Sequence, residues 1–244
     1  MANPFSLGRS STLTRMELKI DEVEIPEFLG KGFRIYEWRH ASAILRSDFP
    51  DQWNDLVSVL SAFKLRKSHV EKGGGEKSEI TKSLEVGFKA LGWLPKNWDT
   101  TIQVTETKKG RNIGSPVKME SPTHEVDHVK GGVALEIEWS NKDPFYDRDL
   151  NNFRLLFDLR VISVGVVLTK SDDLIPLFRT IPDLDKRGKQ KKDSRTGKPV
   201  FCNTKYGMST TWLSKLLPRV EGGGGGGCPI LVFAISKEHF DPNS

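Results

Sequence analysis

The spacing of hydrophobic positions changes along this 244-residue chain. In "DFPDQWNDLVSVLSAF", Trp53, Leu56, Val57, Leu60 and Phe63 recur three or four apart, the spacing that gathers side chains on one helical face. Asp48 and Pro50 are helix-start signals. "EKGGGEKSE" reads as a loop. A second helix is predicted from Ser78 to Leu91, with Ile80, Leu84, Phe88 and Leu91 on one side and Gly92 placed to stop it. From Asn97 the period becomes two. "NWDTTIQVTET" alternates like a strand, and "KKGRNIGSP" reads as a turn or loop. "VALEIEW" is the clearest strand. Val133, Leu135, Ile137 and Trp139 point to one face, and Ala134, Glu136 and Glu138 to the other. "DRDLNNFRLLFDL" follows as a helix that buries Leu150, Phe153, Leu156 and Phe157. "RVISVGVVLT" is then almost continuously apolar, the mark of a strand covered on both faces. Strand, helix, strand in this order implies parallel pairing through a right-handed crossover. "PILVFAI" is a further strand. The stretch before it, "YGMSTTWLSKLLPRV", predicts a short helix introduced by Ser209, Thr210 or Thr211. Gly222 to Gly227 is an unbroken glycine tract and reads as a flexible connector, because glycine loses the most entropy on ordering. The pattern is that of one α/β domain with a helical N-terminal layer.

Composition narrows the class. The chain is long enough to bury a sizeable core without covalent staples. It has no run of eighteen apolar residues, so no membrane span is expected. The first fifteen residues lack the apolar block of a secretory signal and read as a disordered leader, with Met16 a second possible start. Cys202 and Cys228 are the only cysteines. That count excludes a structural zinc site built from cysteine pairs and suits a reducing compartment. The net charge of +5 raises the odds of an anionic partner. Its distribution says more: Asp185 to Pro199 holds seven basic residues, Lys189, Lys191 and Lys192 among them, against two acids. Such a run reads as a solvated loop or as a mobile arm that follows a phosphate backbone.

The candidate chemistry lies in "SPTHEVDHVKGGVALEIEWSN", where two motifs compete. "HEVDH" satisfies the zinc-protease pattern H-E-x-x-H, which chelates only when both histidines share a helical face. Pro122 precedes the pattern and Gly131-Gly132 closes it, which leaves room for two turns at most. No third ligand is evident, so the zinc reading is set aside. The second motif is Asp127 with Glu136 and Glu138. Two acids at i and i+2 of a strand share a face about 7 Å apart, and a turn at Lys130-Gly131-Gly132 folds Asp127 back beside them. Oxygen ligands of this kind suit Mg²⁺, which keeps waters and shares its shell with substrate phosphate. A simpler alternative is that Glu136 and Glu138 face water on an edge strand.

At these residues the chain resembles the PD-(D/E)xK nucleases, in which the metal-binding strand ends in acid-x-lysine. Glu138 occupies the lysine position. That departure is similar to the BglII/BamHI/BstYI-like type II restriction endonucleases, where the position is Glu or Gln. "DHVKGGVALEIEW", "GVVLTK" and "LGWLPKNW" resemble segments of the same group, from about Leu91 to Lys170. The resemblance implies a mixed central sheet flanked by helices, the restriction-endonuclease-like core. The chain then divides into a leader with a first strand at residues 1–30 and a single domain at 31–244, with its catalytic core at about 91–170 and a DNA-contacting part at about 185–240. The resemblance also implies a prokaryotic, cytoplasmic homodimer that cleaves duplex DNA at a short palindromic site with Mg²⁺, alongside a cognate DNA methyltransferase. By the same resemblance, Asp127, Glu136 and the backbone carbonyl of Ile137 bind the metal, and Glu138 lies beside the attacking water as general base or second ligand. Asp99, or Thr101 in a shifted register, is the upstream metal-site group. The alternative is a non-catalytic DNA-binding protein on the same fold.

Two segments are candidates for reading the DNA. "SNKDPF" follows the acidic strand directly, and Asn141, Lys142 and Asp143 offer donors and acceptors to base edges. "YGMSTTW" offers Ser209, Thr210 and Thr211 at a helix start, with Lys215 and Arg219 as backbone contacts.

Overall fold

The computed structural model describes residues 32–72 and 77–243. In chain order the helices are α1 (Ala41–Asp48), α2 (Pro50–Ala62), α3 (Lys67–Glu71), α4 (Glu79–Ala90), α5 (Phe145–Asp158), α6 (Leu174–Phe178) and α7 (Leu213–Glu221). The strands are β1 (Phe33–Trp38), β2 (Leu65–Arg66), β3 (Leu94–Lys96), β4 (Asp99–Val104), β5 (Thr107–Lys108), β6 (Arg111–Asn112), β7 (Val117–Pro122), β8 (Val126–Lys130), β9 (Val133–Ile137), β10 (Val164–Lys170), β11 (Ile230–Ile235) and β12 (Phe240–Asp241). The leader and its expected first strand lie outside the described residues.

The predicted punctuation is where the chain turns. Pro50 occupies the first turn of α2, where its missing N–H costs nothing. Ser78 caps α4 by accepting from Thr81 N at 3.0 Å. Gly92, with φ of +85°, lies just beyond the end of α4.

Six strands form the central sheet in the order β1-β11-β10-β9-β8-β3. The three middle strands run parallel: β10 pairs with β9 on one side and β11 on the other. β1, β8 and β3 join antiparallel. The sheet is therefore mixed, as expected, and α5 is the crossover between β9 and β10. Alternate residues divide two cores. Val133, Leu135 and Ile137 of β9, with Val166, Leu168, Leu231 and Phe233, pack against Leu45, Leu56, Leu60, Leu84 and Phe88 of α1, α2 and α4. Ala134, Val167, Val232 and Ala234 pack on the other face against Leu150, Phe153 and Leu156 of α5 and Leu216 and Val220 of α7.

Two readings are refined and one is corrected. "NWDTTIQVTET" does supply a strand, β4, but it leaves the central sheet and pairs only with β7, and the supposed loop beyond it holds the short β5-β6 hairpin. The result is an exposed ribbon, and Asp99 stands on it. Gly222 to Gly227 is a packed turn rather than a flexible connector. Gly222 N, Gly223 N and Gly224 N close onto the carbonyls of Pro218, Val220 and Arg219. A β-carbon at Gly225 would lie 2.4 Å from the Ile230 side chain, and one at Gly224 3.1 Å from Leu150. Glycine here permits close approach to α5 and β11. Of the two readings of the Lys-rich segment, the solvated loop describes its backbone. Asp185 accepts from the N–H groups of Arg187 and Lys189, and Asp193 from those of Arg195 and Thr196, so two capped turns shape it. Among the described residues no helix is long and apolar enough to cross a membrane.

Candidate active site

The β8-β9 hairpin builds the site. Gly131 and Gly132, with φ of +55° and +89°, form its two-residue turn, a conformation that matches strand twist and excludes most side chains. The ladder pairs Lys130 with Val133, Val129 with Ala134 and His128 with Leu135. One step further, Asp127 lies across from Glu136, and its N–H donates to Glu136 Oε2 at 3.3 Å. Asp127 thus returns beside the strand as the turn predicted. β9 is an interior strand, and the side chains of Glu136 and Glu138 are 0% exposed, which removes the water-facing alternative.

A fourth carboxylate joins them. Asp149, in the second turn of α5, is 1% exposed and lies beside Glu138. Asp99 is not part of this group; it lies exposed at the base of the ribbon, as Thr101 does. Glu136 Oε1, Glu138 Oε2 and Asp149 Oδ2 are all buried without a hydrogen-bond partner. Burial, followed by the nearness of Asp149 and Asp127, holds the Glu136 carboxyl well above the usual carboxylate range. Burial and then Asp149 push Glu138 up to about 9. Burial raises Asp149 as well, against the pull of Arg148.

Unpartnered buried carboxylate oxygens are costly unless a cation or protons balance them. The donor set, all oxygen, fits Mg²⁺. No three His, Cys, Asp or Glu side chains among the described residues converge tightly enough to hold an ion by themselves. Mg²⁺ needs only one or two protein carboxylates when waters and phosphate complete its shell. The Ile137 carbonyl is a further oxygen on the hairpin side of the strand. Glu138 N donates to Leu168 O of β10 at 2.7 Å, so the trans peptide turns the Ile137 carbonyl to the opposite side, toward β8.

"HEVDH" is extended, not helical. His124 precedes β8 and is exposed, while His128 is buried on the opposite face of the sheet, 5.9 Å from the Phe88 ring. The two histidines cannot share an ion.

The two candidate recognition segments meet beside the acids. Lys142 and Thr210 form an antiparallel bridge. Asp143 N donates to Ser209 O at 3.1 Å, and Thr211 N to Asn141 O at 2.8 Å. Asn141 also donates its side-chain amide to Glu138 Oε1 at 3.0 Å, tying this platform to the acidic strand. Several predicted contacts are otherwise engaged. Thr210 and Thr211 are buried, so their side chains do not reach a groove. They also do not cap the helix: α7 begins at Leu213, and Asp172 accepts from Ser214 N at 2.9 Å. Asp143 pairs with Lys215 at 3.3 Å, and Arg219 donates to Asp147 at 2.8 Å. Lys191 is held by Asp183 at 3.1 Å. Lys142, Ser209, Lys189 and Lys192 remain exposed.

The fold and this acidic hairpin coincide with a known group. A profile of the family described as restriction endonuclease BglII/BglIII matches residues 33–235. The chain belongs to the BglII/BglIII restriction endonuclease family. Membership makes it a deoxyribonuclease with DNA as substrate. A search of curated proteins found no matching relative.

Two residues of this restriction endonuclease escaped sequence reasoning. Asp149 stands among Tyr146, Leu150 and Phe153 on the buried stripe of α5, and an acid in an apolar stripe was the available signal. Lys170, at the end of β10, is 0% exposed. Its ammonium donates to the carbonyls of Trp139 and Thr211 and sits 4.5 Å from the Trp212 ring centroid. Burial holds its pKa well below the usual lysine value. Lys170 therefore joins the end of the acidic strand to the second recognition segment. Its sequence context, the last residue of an apolar strand, gave no hint of this.

Proposed function

We propose that this restriction endonuclease hydrolyses duplex DNA at one short, palindromic site in a Mg²⁺-dependent reaction and acts as a homodimer. The observation that carries the reading is the set of three unpartnered carboxylate oxygens, on Glu136, Glu138 and Asp149, buried beside two joined surface segments. Asp127, Glu136 and the Ile137 carbonyl would hold the ion. A bound Mg²⁺ would supply charge to polarise the scissile phosphate and to lower the pKa of the attacking water. With an ion in place to favour its ionised form, Glu138 would orient that water and accept its proton, and burial makes that carboxylate a stronger base than an exposed one. Asn141 holds Glu138 in place from the loop that approaches the bases. Asn141, Lys142 and Ser209 are the side chains we assign to DNA contact, with Lys189 and Lys192 tracking the backbone. A palindrome is read most simply by two copies of one chain related by a twofold axis. A cell that holds such an enzyme needs a methyltransferase that masks the same site.

The test is incubation of supercoiled DNA with the protein, with and without Mg²⁺. Discrete fragments with mappable ends are expected only with the metal, and Glu136→Ala should leave the DNA uncut. Full cutting by Glu136→Ala removes the site assignment. Salt-sensitive binding with no cutting under any metal would instead favour a non-catalytic DNA-binding protein. Sedimentation of the DNA-bound protein would give the copy number.

A further inference from the structure

The acid-x-lysine pattern puts a cation at the third position of its strand, where it faces the charge that develops on the phosphate. Here that position is Glu138, and the strand itself offers no cation. Two cations approach Glu138 from elsewhere. Lys170 is sealed from solvent and spends its N–H groups on the carbonyls of Trp139 and Thr211. It cannot reach a substrate. Arg148, in the first turn of α5, differs on each count. Its Nη2 lies 3.8 Å from Glu138 Oε1, and its side chain is 29% exposed. Nε and Nη2 both donate to Asp149 Oδ1, at 2.8 and 2.7 Å. The guanidinium carbon sits 4.3 Å from the centroid of the Phe145 ring. One side of the guanidinium is thus held by a buried acid and an aromatic face, while the remaining edge is directed away from Asp149.

We propose that Arg148 is the catalytic cation of this enzyme, a residue from α5 that does the work of the absent strand lysine by donating to a non-bridging oxygen of the scissile phosphate. The inference rests on the acids around Glu136 being the catalytic centre. In the reaction the water oxygen forms a bond to phosphorus and gives a proton to a carboxylate. The P–O ester bond breaks with its electron pair on the leaving alkoxide, which takes up a proton from solvent water. Negative charge builds on the non-bridging oxygens as the water adds. A guanidinium fork matches phosphate geometry and keeps its charge at any working pH. Because Asp149 and Phe145 fix its orientation before substrate arrives, little reorganisation is left for the reacting step. The same arrangement gives the buried acid at Asp149 a role: it anchors the arginine.

The test compares Arg148→Ala with the wild type in single-turnover cleavage of a duplex carrying the mapped site, with DNA affinity measured separately by fluorescence anisotropy in chelator. The cleavage rate should fall by about 10²–10³-fold, the size typical of losing one oxyanion donor, with affinity changed less than about threefold. Arg148→Lys should recover part of the rate, and added methylguanidinium should rescue Arg148→Ala, which a purely structural role would not allow. Arg148→Ala leaves Asp149 buried and unpaired, so a variant that fails to fold is replaced by the double variant Arg148→Ala, Asp149→Asn. Cleavage within about threefold of wild type by either folded variant, or a rate loss matched by an equal loss of affinity, overturns the proposal. Glu136→Ala separates the two failures. If it still cuts, the centre itself is misassigned. If it is inactive while Arg148→Ala cuts at full rate, only the role of Arg148 falls.

Discussion

Glu138→Gln should stabilise the chelated protein at neutral and alkaline pH. Burial and the neighbouring Asp149 lift the Glu138 carboxyl from 4.5 to about 9 in the folded chain. Below the unfolded value both states carry the proton, and the group contributes nothing to the pH dependence. Between the two values the unfolded chain releases the proton while the folded chain keeps it. Stability therefore falls as pH rises through this window, by about 1.4 kcal/mol for each pH unit. At pH 7.5, three units into the window, the cost is on the order of 4 kcal/mol. Glutamine has no proton to lose and keeps the oxygen that accepts from Asn141. Urea unfolding in chelator at about pH 5 and about pH 8 measures both effects. The wild type should be less stable at the higher pH, and Glu138→Gln should lose much of that slope and exceed the wild type by a few kcal/mol there. The reasoning fails if the wild type is equally stable at both values, or if Glu138→Gln is the less stable protein at about pH 8.

Three further outcomes are expected. Added Mg²⁺ should raise the melting temperature of the wild type, because an ion that binds only the folded chain stabilises it by mass action, and Glu136→Gln should lose most of that rise in the same thermal scan. Lys170→Met should cost about 1–3 kcal/mol in urea unfolding, since it strands the carbonyls of Trp139 and Thr211 that the ammonium now satisfies. Gly225→Ala should cost about 1–3 kcal/mol, because its β-carbon would lie 2.4 Å from Ile230, whereas a flexible connector would tolerate the change.

The elements that were legible are those whose reasons are local. Trp53, Leu56 and Leu60 repeat at helical spacing because one face of α2 is buried. The alternation in "VALEIEW" separates Val133, Leu135 and Ile137 from Ala134, Glu136 and Glu138, and the sheet keeps them apart on its two faces. Gly131-Gly132 announces the turn that returns Asp127 to Glu136. Errors arose where a segment's behaviour depends on what lies against it. The glycine tract has no side chains to signal that α5 and β11 press on it. Thr210 and Thr211 look like surface hydroxyls until the strand bridge to Lys142 buries them. Asp99 is near the motif in the chain, yet its ribbon leaves the sheet.

For this restriction endonuclease the α/β plan and the hairpin of Asp127, Glu136 and Glu138 were legible in the residues alone, because strand period and turn chemistry act over a few residues, while the mixed sheet came from the family resemblance. Only the tertiary structure decided that Asp149 and Arg148 complete the surroundings of Glu138, and that Lys170 binds the acidic strand to the second recognition segment. These are meetings of residues distant in the chain, from α5, β10 and the loop before α7. Each exists because a buried charge must find a partner, and no periodicity in the sequence records which partner it finds.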